Sequence, residues 1–140
     1  MNRSTNKFHC NLRHPTKSTS YGEISCTFQC STEKKELANK AIEWCIKKFG
    51  LSDIEDLKIL VKVETLDDCW GYCEQEIPDS NSYIIGVEQT QKLRDFIMTI
   101  VHEMIHLKQY ITNEWEGDGE EEAIELESKL TDELWKEGIL

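Results

Sequence analysis

The order of hydrophobic patterns along the chain predicts an α+β domain with a small antiparallel sheet. Segments that alternate apolar and polar residues, or that are rich in β-branched residues, are typical of strands. Longer segments with apolar residues three and four positions apart are typical of amphipathic helices. The patterns occur here in the order strand, helix, strand, two strands of a hairpin, helix and helix, and this order favours an α+β fold.

The first half of the chain predicts two strands separated by a helix. Residues 23–30 alternate between apolar and polar side chains, which indicates a half-buried strand. The apolar residues of segment 31–49 lie on one helical face, and Gly50 follows where a left-handed C-cap favours glycine. Residues 58–65 are rich in Ile, Leu and Val and predict the second strand.

The second half predicts a hairpin followed by two helices. Residues 69–76 and 82–88 have strand patterns and are joined through a cluster of turn residues at 78–81. A helical pattern then extends over residues 90–110. A glycine-containing acidic loop leads into the last predicted helix, at residues 120–136.

Length and composition predict one domain. A chain of 140 residues is large enough for a single modest core. Residues 1–20 are polar, mildly basic and without periodicity, so we expect a loose N-terminal arm followed by a single domain at residues 21–140. The net charge of −11 argues against binding to nucleic acids or anionic membranes, because both are themselves negatively charged.

The sequence also predicts a cytoplasmic location. No segment approaches the ~20 apolar residues of a membrane span, and the first residues lack the apolar stretch of a signal peptide. We therefore expect the six cysteines to be reduced thiols that act as small buried hydrophobic residues.

The motif His102-Glu103-Met104-Ile105-His106 is the most informative part of the sequence. It reads HExxH and lies within the helix predicted at residues 90–110, which is the context in which this motif binds zinc. Positions four apart share one helical face, so both imidazoles can bind the same Zn²⁺ ion. Glu103 lies beside them, where it can take a proton from a water molecule.

A catalytic zinc site also needs a third protein ligand and an open position. No histidine follows His106, and Gln109 and Thr112 occupy the glycine and histidine positions of the extended HExxHxxGxxH motif. A carboxylate is the natural substitute, and the last predicted helix contains five glutamates between residues 120 and 127.

The phase of this helix favours Glu127 as the third ligand. At about 100° per residue, Glu127 falls within the apolar stripe that contains Ala123 and the leucines of the helix. A carboxylate rarely points toward a core unless a partner or a metal compensates its charge. Glu125 and Glu120 are the alternative ligands, and a Glu127 that reaches water or a lysine is the other interpretation.

Residues from about 69 to 128 resemble the small SprT-like zincins of bacteria and phages. The similarity is carried by the hairpin at 69–73 and 83–87, the motif segment at 101–110, and the Ile-Glu-Leu-Glu-Ser sequence at 124–128. The last of these is similar to a Trp-Glu-x-Glu-Ala stretch in phage members. The resemblance implies a minimal zincin fold with an active-site helix and a C-terminal ligand-bearing helix. It also implies metal-dependent peptide hydrolysis, with His102 and His106 as zinc ligands and Glu103 as the base.

The chain departs from the better-known SprT and Spartan proteins. Those proteins use a downstream histidine ligand and often carry a zinc ribbon or DNA-binding segments, and none of these is visible in this sequence. Together with the negative charge, this predicts a peptide or protein substrate and no nucleic-acid partner.

The expected reaction is hydrolysis of a peptide bond, with Zn²⁺ polarising water and the scissile carbonyl and Glu103 acting as base and then as acid. Tyr110 lies one turn beyond His106 and is a candidate for hydrogen-bonding the oxyanion, while a half-buried tyrosine at a helix end is the other interpretation. The alternative function is a catalytically inactive zincin-fold binding module of a phage or mobile element. A structural zinc site without an open position is a third interpretation.

Overall fold

A computed structural model describes residues 24–26, 32–67, 69–78, 80–114 and 117–138. The predicted arm at residues 1–20 lies outside this part of the chain. The described residues form four strands and three helices: β1 (Ile24–Cys26), α1 (Thr32–Lys48), β2 (Lys58–Glu64), β3 (Gly71–Gln75), β4 (Ser82–Glu88), α2 (Leu93–Thr112) and α3 (Glu120–Lys136). The α+β class is therefore confirmed.

The sheet is mixed, so the predicted antiparallel arrangement is wrong for two of its three strand pairs. The strands lie in the order β1-β2-β4-β3. β1 and β4 are both parallel to β2, and β3 alone is antiparallel to its neighbour β4. The reason lies in the connections: α1 crosses over between β1 and β2, which makes them parallel. The hairpin then turns back so that β4, and not β3, pairs with β2.

The two faces of the sheet are covered differently. On one face, alternate residues of β2 and β4 join the main core, which also contains buried side chains of α1 and α2. On the other face, Leu60, Tyr72 and Ile84 form a smaller cluster. The central strands are consequently buried along most of their length, as is usual for parallel strands covered on both faces.

Helix α2 lies at the centre of the helical layer. It contacts α1, α3 and the strands β3 and β4. Every residue from Ile100 to Leu107 is buried, so this part of the helix is buried on all sides. The buried apolar residues of α2 include Phe96, Ile97, Ile100, Val101, Met104, Ile105 and Leu107.

The ends of the helices follow the local sequence. Gly50 adopts a φ of 72° just after α1, which confirms the predicted left-handed C-cap. Helix α2 ends at Thr112, two residues beyond the predicted end, and Asn113 caps it with a φ of 62°. Helix α3 begins and ends at the predicted residues, Glu120 and Lys136.

The prediction that all six cysteines are reduced is wrong for Cys69, which is disulfide-bonded. Cys45 and Cys73 are free and buried, as expected, and burial raises the pKa of both thiols. The disulfide removes the cysteine content as an argument for a reducing compartment. Among the described residues, no helix has both the length and the apolar character that crossing a membrane requires.

Candidate metal centre

Helix α2 presents both motif histidines to the first turn of α3. The rings of His102 and His106 lie with their centroids 4.9 Å apart, as expected for side chains one turn apart on the same face. His106 is fully buried and His102 nearly so. Their positions are fixed because the other faces of α2 are packed in the main core.

Glu120, the first residue of α3, bridges the two imidazoles. Its Oε1 lies 3.2 Å from Nε2 of His102, and its Oε2 lies 3.0 Å from Nε2 of His106. One ligand atom from each of these three residues lies within 4.8 Å of the other two. The three side chains therefore form a group at ligand distance that is compatible with a metal site.

The donor set fits zinc in both chemistry and spacing. Two imidazole nitrogens and one carboxylate are the protein ligands of His₂Glu zinc sites. With zinc–ligand bonds of about 2.1 Å, neighbouring ligand atoms of a tetrahedral site lie about 3.4 Å apart. The contacts of Glu120, 3.2 Å through Oε1 and 3.0 Å through Oε2, are close to this separation.

The other nitrogen of each ring faces an oxygen acceptor. Nδ1 of His102 lies 2.7 Å from Oε1 of Glu127, and Nδ1 of His106 lies 2.8 Å from Oε1 of Gln109. Each Nδ1 can donate to its acceptor while Nε2 is left without a proton. Both rings are oriented with Nε2 toward Glu120, and this is how acceptors behind a zinc site orient its histidines.

Glu127 and Glu120 thus contact opposite sides of His102. The prediction that Glu127 points toward the motif helix agrees with its contact, but this contact is to Nδ1, whereas Glu120 faces Nε2. The spacing of seven residues, about two helical turns, places both glutamates on the same face of α3. Glu120 could have been identified from this spacing, because its helical phase is almost the same as that of Glu127 and the argument from phase applies almost equally to both residues.

Glu103 is fully buried and lies where β3 approaches α2. A Cβ added to Gly71 would lie 3.2 Å from Oε2 of Glu103 and 2.5 Å from Cγ2 of Thr99. Contacts as short as 2.5 Å do not occur between carbon atoms, so a residue with a side chain at position 71 would move the strand or the helix. Glycine therefore permits the close packing that holds Glu103 beside His102.

The site concentrates negative charge around a buried imidazole. Burial raises the pKa of Glu103 to about 8; the nearby His102 opposes this, while Glu120 and Glu127 add to it. Burial lowers the pKa of His102, but hydrogen bonds that its ring donates to Glu120 and Glu127 and the charge of Glu103 outweigh this effect and raise the pKa to about 9. The negative charge of the surrounding carboxylates, which favours a proton on this imidazole, also favours a metal cation at the same place.

A cavity of about 680 Å³ opens onto these residues. His102, Glu103, Glu120 and Glu127 line it together with residues of the β4–α2 connection, the first turns of α2 and the start of β3. Two of its lining side chains are large, apolar and mostly exposed, Trp70 at 62% and Ile124 at 59%. Exposed apolar side chains beside convergent polar groups are typical of a ligand-binding cleft.

Tyr110 lies away from this cavity. Its ring packs against the ring of Tyr83, with centroids 5.7 Å apart, and it borders the main core. It is absent from the residues that line the cavity. Its position is that of a half-buried tyrosine at a helix end, which favours the second interpretation of this residue.

The remaining sequence candidate, Glu125, is exposed on α3. The structure brings together five residues at the cavity or in the metal-ligand cluster beside it. They are His102, Glu103, His106, Glu120 and Glu127. No protein-family model, no curated protein and no solved structure matches the chain.

Proposed function

We propose that the protein is a zinc-dependent peptidase of minimal zincin architecture. In this proposal His102, His106 and Glu120 hold the ion, Glu127 orients His102, and Glu103 acts on the attacking water. The observation that carries it is the group of two imidazoles and one carboxylate at ligand distance, with the buried carboxylate of Glu103 facing the same cavity.

The choice of zinc follows from the ligands. Two neutral imidazoles and a single carboxylate suit zinc, whereas calcium and magnesium favour sites built from oxygen ligands. A bound zinc ion would polarise the scissile carbonyl and lower the pKa of a water molecule at the site. The cavity beside the cluster supports an open position, which a purely structural site does not need.

Glu103 supplies the proton transfers. Its carboxylate accepts a proton from the water as the water attacks the scissile carbonyl, and it later donates this proton to the leaving amine. The packing against Gly71 and Thr99 holds the carboxylate in one place, and its burial keeps bulk water away from it. A general base held in this way is effective because little reorganisation is needed during the reaction.

A peptide is the substrate class that the cavity fits. Trp70 and Ile124 offer apolar surface to substrate side chains near the scissile bond. The net charge of −11 and the glutamates around the site oppose the approach of a nucleic-acid backbone. The exposed aromatic and aliphatic side chains therefore favour a peptide or protein.

The direct test is the Glu103→Gln substitution, compared with Glu121→Gln as the matched control on the exposed surface of α3. We expect both variants to bind zinc as the wild type does, because neither change removes a ligand. Cleavage of a peptide library should fall about 10²- to 10⁴-fold in Glu103→Gln and remain unchanged in Glu121→Gln. Zinc content is measured by elemental analysis and cleavage by mass spectrometry.

Two outcomes would overturn the proposal. Equal cleavage by wild type and Glu103→Gln would show that another group activates the water. A wild-type protein that holds zinc and cleaves no peptide would instead favour the non-catalytic binding module.

A further inference from the structure

Gln109 is a buried polar residue of α2 with contacts to both ligand-bearing helices. It is only 1% exposed and lies three residues after His106, on the same side of α2. Its Oε1 lies 2.8 Å from Nδ1 of His106. Its Nε2 lies 3.1 Å from the backbone oxygen of Gly119 and 2.7 Å from Oε1 of Glu122.

The surroundings of the amide determine its orientation. A backbone carbonyl can only accept a hydrogen bond, and so can an ionised carboxylate. The side of Gln109 that faces Gly119 and Glu122 must therefore be the NH₂ group, with its two N–H donors. The amide oxygen is then left to face His106, and flipping the amide would set it against two acceptors.

The amide oxygen favours one arrangement of the imidazole when a cation is bound. Both ring nitrogens of His106 face oxygen acceptors, Nδ1 the amide of Gln109 at 2.8 Å and Nε2 the carboxylate of Glu120 at 3.0 Å. A neutral ring has one N–H, so when Nε2 binds a cation the proton is on Nδ1 and is donated to Gln109. We infer that Gln109 is a positioning residue that holds His106 in the metal-binding tautomer and links it to the start of α3. This inference rests on the metal site proposed above.

The link to α3 runs through the residue that precedes Glu120. Gly119 has a φ of 83°, and a Cβ added to it would lie only 2.3 Å from Oε1 of Gln109. Glycine at this position therefore lets the backbone of α3 approach the amide closely enough to accept its hydrogen bond. One side chain thus positions His106 and the backbone from which Glu120 projects, so two of the three proposed ligands depend on it.

The tautomer can be measured without any metal once the competing acceptor at Nε2 is removed. In metal-free Glu120→Ala protein, at a pH where the ring is neutral, a long-range ¹H–¹⁵N correlation spectrum distinguishes a protonated ring nitrogen from one that carries no proton. We expect His106 to carry its proton on Nδ1, because Gln109 is the acceptor that remains of the two. Predominant protonation of Nε2 in this protein would overturn the inference.

Three variants separate positioning from simple packing. Gln109→Leu removes the acceptor and both donors, so we expect mixed tautomers of His106 in the Glu120→Ala background and, with Glu120 present, zinc affinity about 10- to 100-fold weaker. Gln109→Glu keeps an acceptor for Nδ1 but loses both donors to Gly119 and Glu122, so it should retain the proton on Nδ1 while the link to α3 is weakened. Gln89→Leu is the control, because that side chain donates to Thr65 outside the metal cluster, and it should change neither readout.

The outcomes also separate this inference from the peptidase proposal. A Gln109→Leu variant with the wild-type tautomer and wild-type zinc affinity would refute the positioning role, whatever the protein cleaves. Conversely, a tautomer shift in Gln109→Leu supports that role even if no peptide is hydrolysed. A wild-type protein that fails to bind zinc would refute the metal site itself.

Discussion

At the residue scale, the two carboxylates that contact His102 meet different nitrogens of its ring, and we propose a different role for each. Glu120 faces Nε2 of His102 and belongs to the three-residue group at ligand distance. Glu127 faces Nδ1, on the opposite side of the ring. A carboxylate behind a metal-bound histidine orients the ring and strengthens it as a ligand. The two glutamates are of the same type and lie on the same helical face, so their separate roles come only from which ring nitrogen each one meets.

Substitution of these two residues should weaken zinc binding by different amounts. We expect Glu127→Gln to lower the affinity about 10- to 100-fold, the range for a residue that supports a ligand. Glu120→Gln should lower it further, because it removes one of three protein ligands. Glu121→Gln, the exposed neighbour on α3, should leave it unchanged. Competition titration with a chromophoric chelator measures all three dissociation constants.

The reverse order of effects would contradict the division of roles. If Glu127→Gln abolished binding while Glu120→Gln kept most of it, Glu127 would be the ligand. Substitution of Glu125, which is exposed, should have no more effect than substitution of Glu121.

The sequence was sufficient for some of these residues and not for others. HExxH identifies His102, Glu103 and His106 because its spacing alone places them on one helical face. The choice between Glu120 and Glu127 depends on how far α3 is displaced along α2, and periodicity contains no information on that displacement. The sequence does not mark Gln109 as functional, because its contacts to Gly119 and Glu122 cross from α2 to the start of α3; the spacing of three residues from His106 was the only local sign.

At the element scale, the site lies between α2 and α3. Helix α2 supplies both histidines and Glu103, and α3 supplies the carboxylate that completes the cluster. An ion held by both helices would join them, and a ligand that binds only the folded state stabilises it. Without the ion, the glutamates of α3 are held near α2 by the imidazoles and Gln109.

Zinc should therefore raise the melting temperature of the wild-type protein. At free zinc about 100-fold above the dissociation constant, the stabilisation is about 2.7 kcal/mol, which corresponds to several degrees for a domain of this size. The shift should persist in Glu121→Gln and largely disappear in Glu120→Gln. Differential scanning fluorimetry with zinc, magnesium or a chelator measures it. An equal shift in all three proteins would place the stabilising zinc elsewhere, for example on cysteine thiols.

The elements were easier to predict than their arrangement. The bounds of α3, the end of α1 and the existence of the β3–β4 hairpin all follow from local patterns. The pairing of β2 with β4 does not, because it depends on which strand of the hairpin is inserted beside β2. The crossover helix between β1 and β2 was nevertheless a local sign of a parallel pair.

At the scale of the whole molecule, the sheet and α1 support the helix that carries the motif. The main core contacts one face of the sheet and holds α2 in place along its length. The acidic side chains that make the chain strongly negative are not all solvated, since some of them surround the imidazoles. Some acidic residues that the sequence alone suggests are solvent-exposed therefore contact the imidazoles of the candidate site.

The most direct test of the account is a crystal structure of the protein soaked with zinc, with anomalous data collected at the zinc edge. The account predicts one anomalous peak bonded to Nε2 of His102, Nε2 of His106 and the carboxylate of Glu120, with Glu103 unbonded beside a position open to the cavity. A peak bonded to Glu127 in place of Glu120, a fourth protein ligand that closes the site, or no peak between α2 and α3 would contradict it.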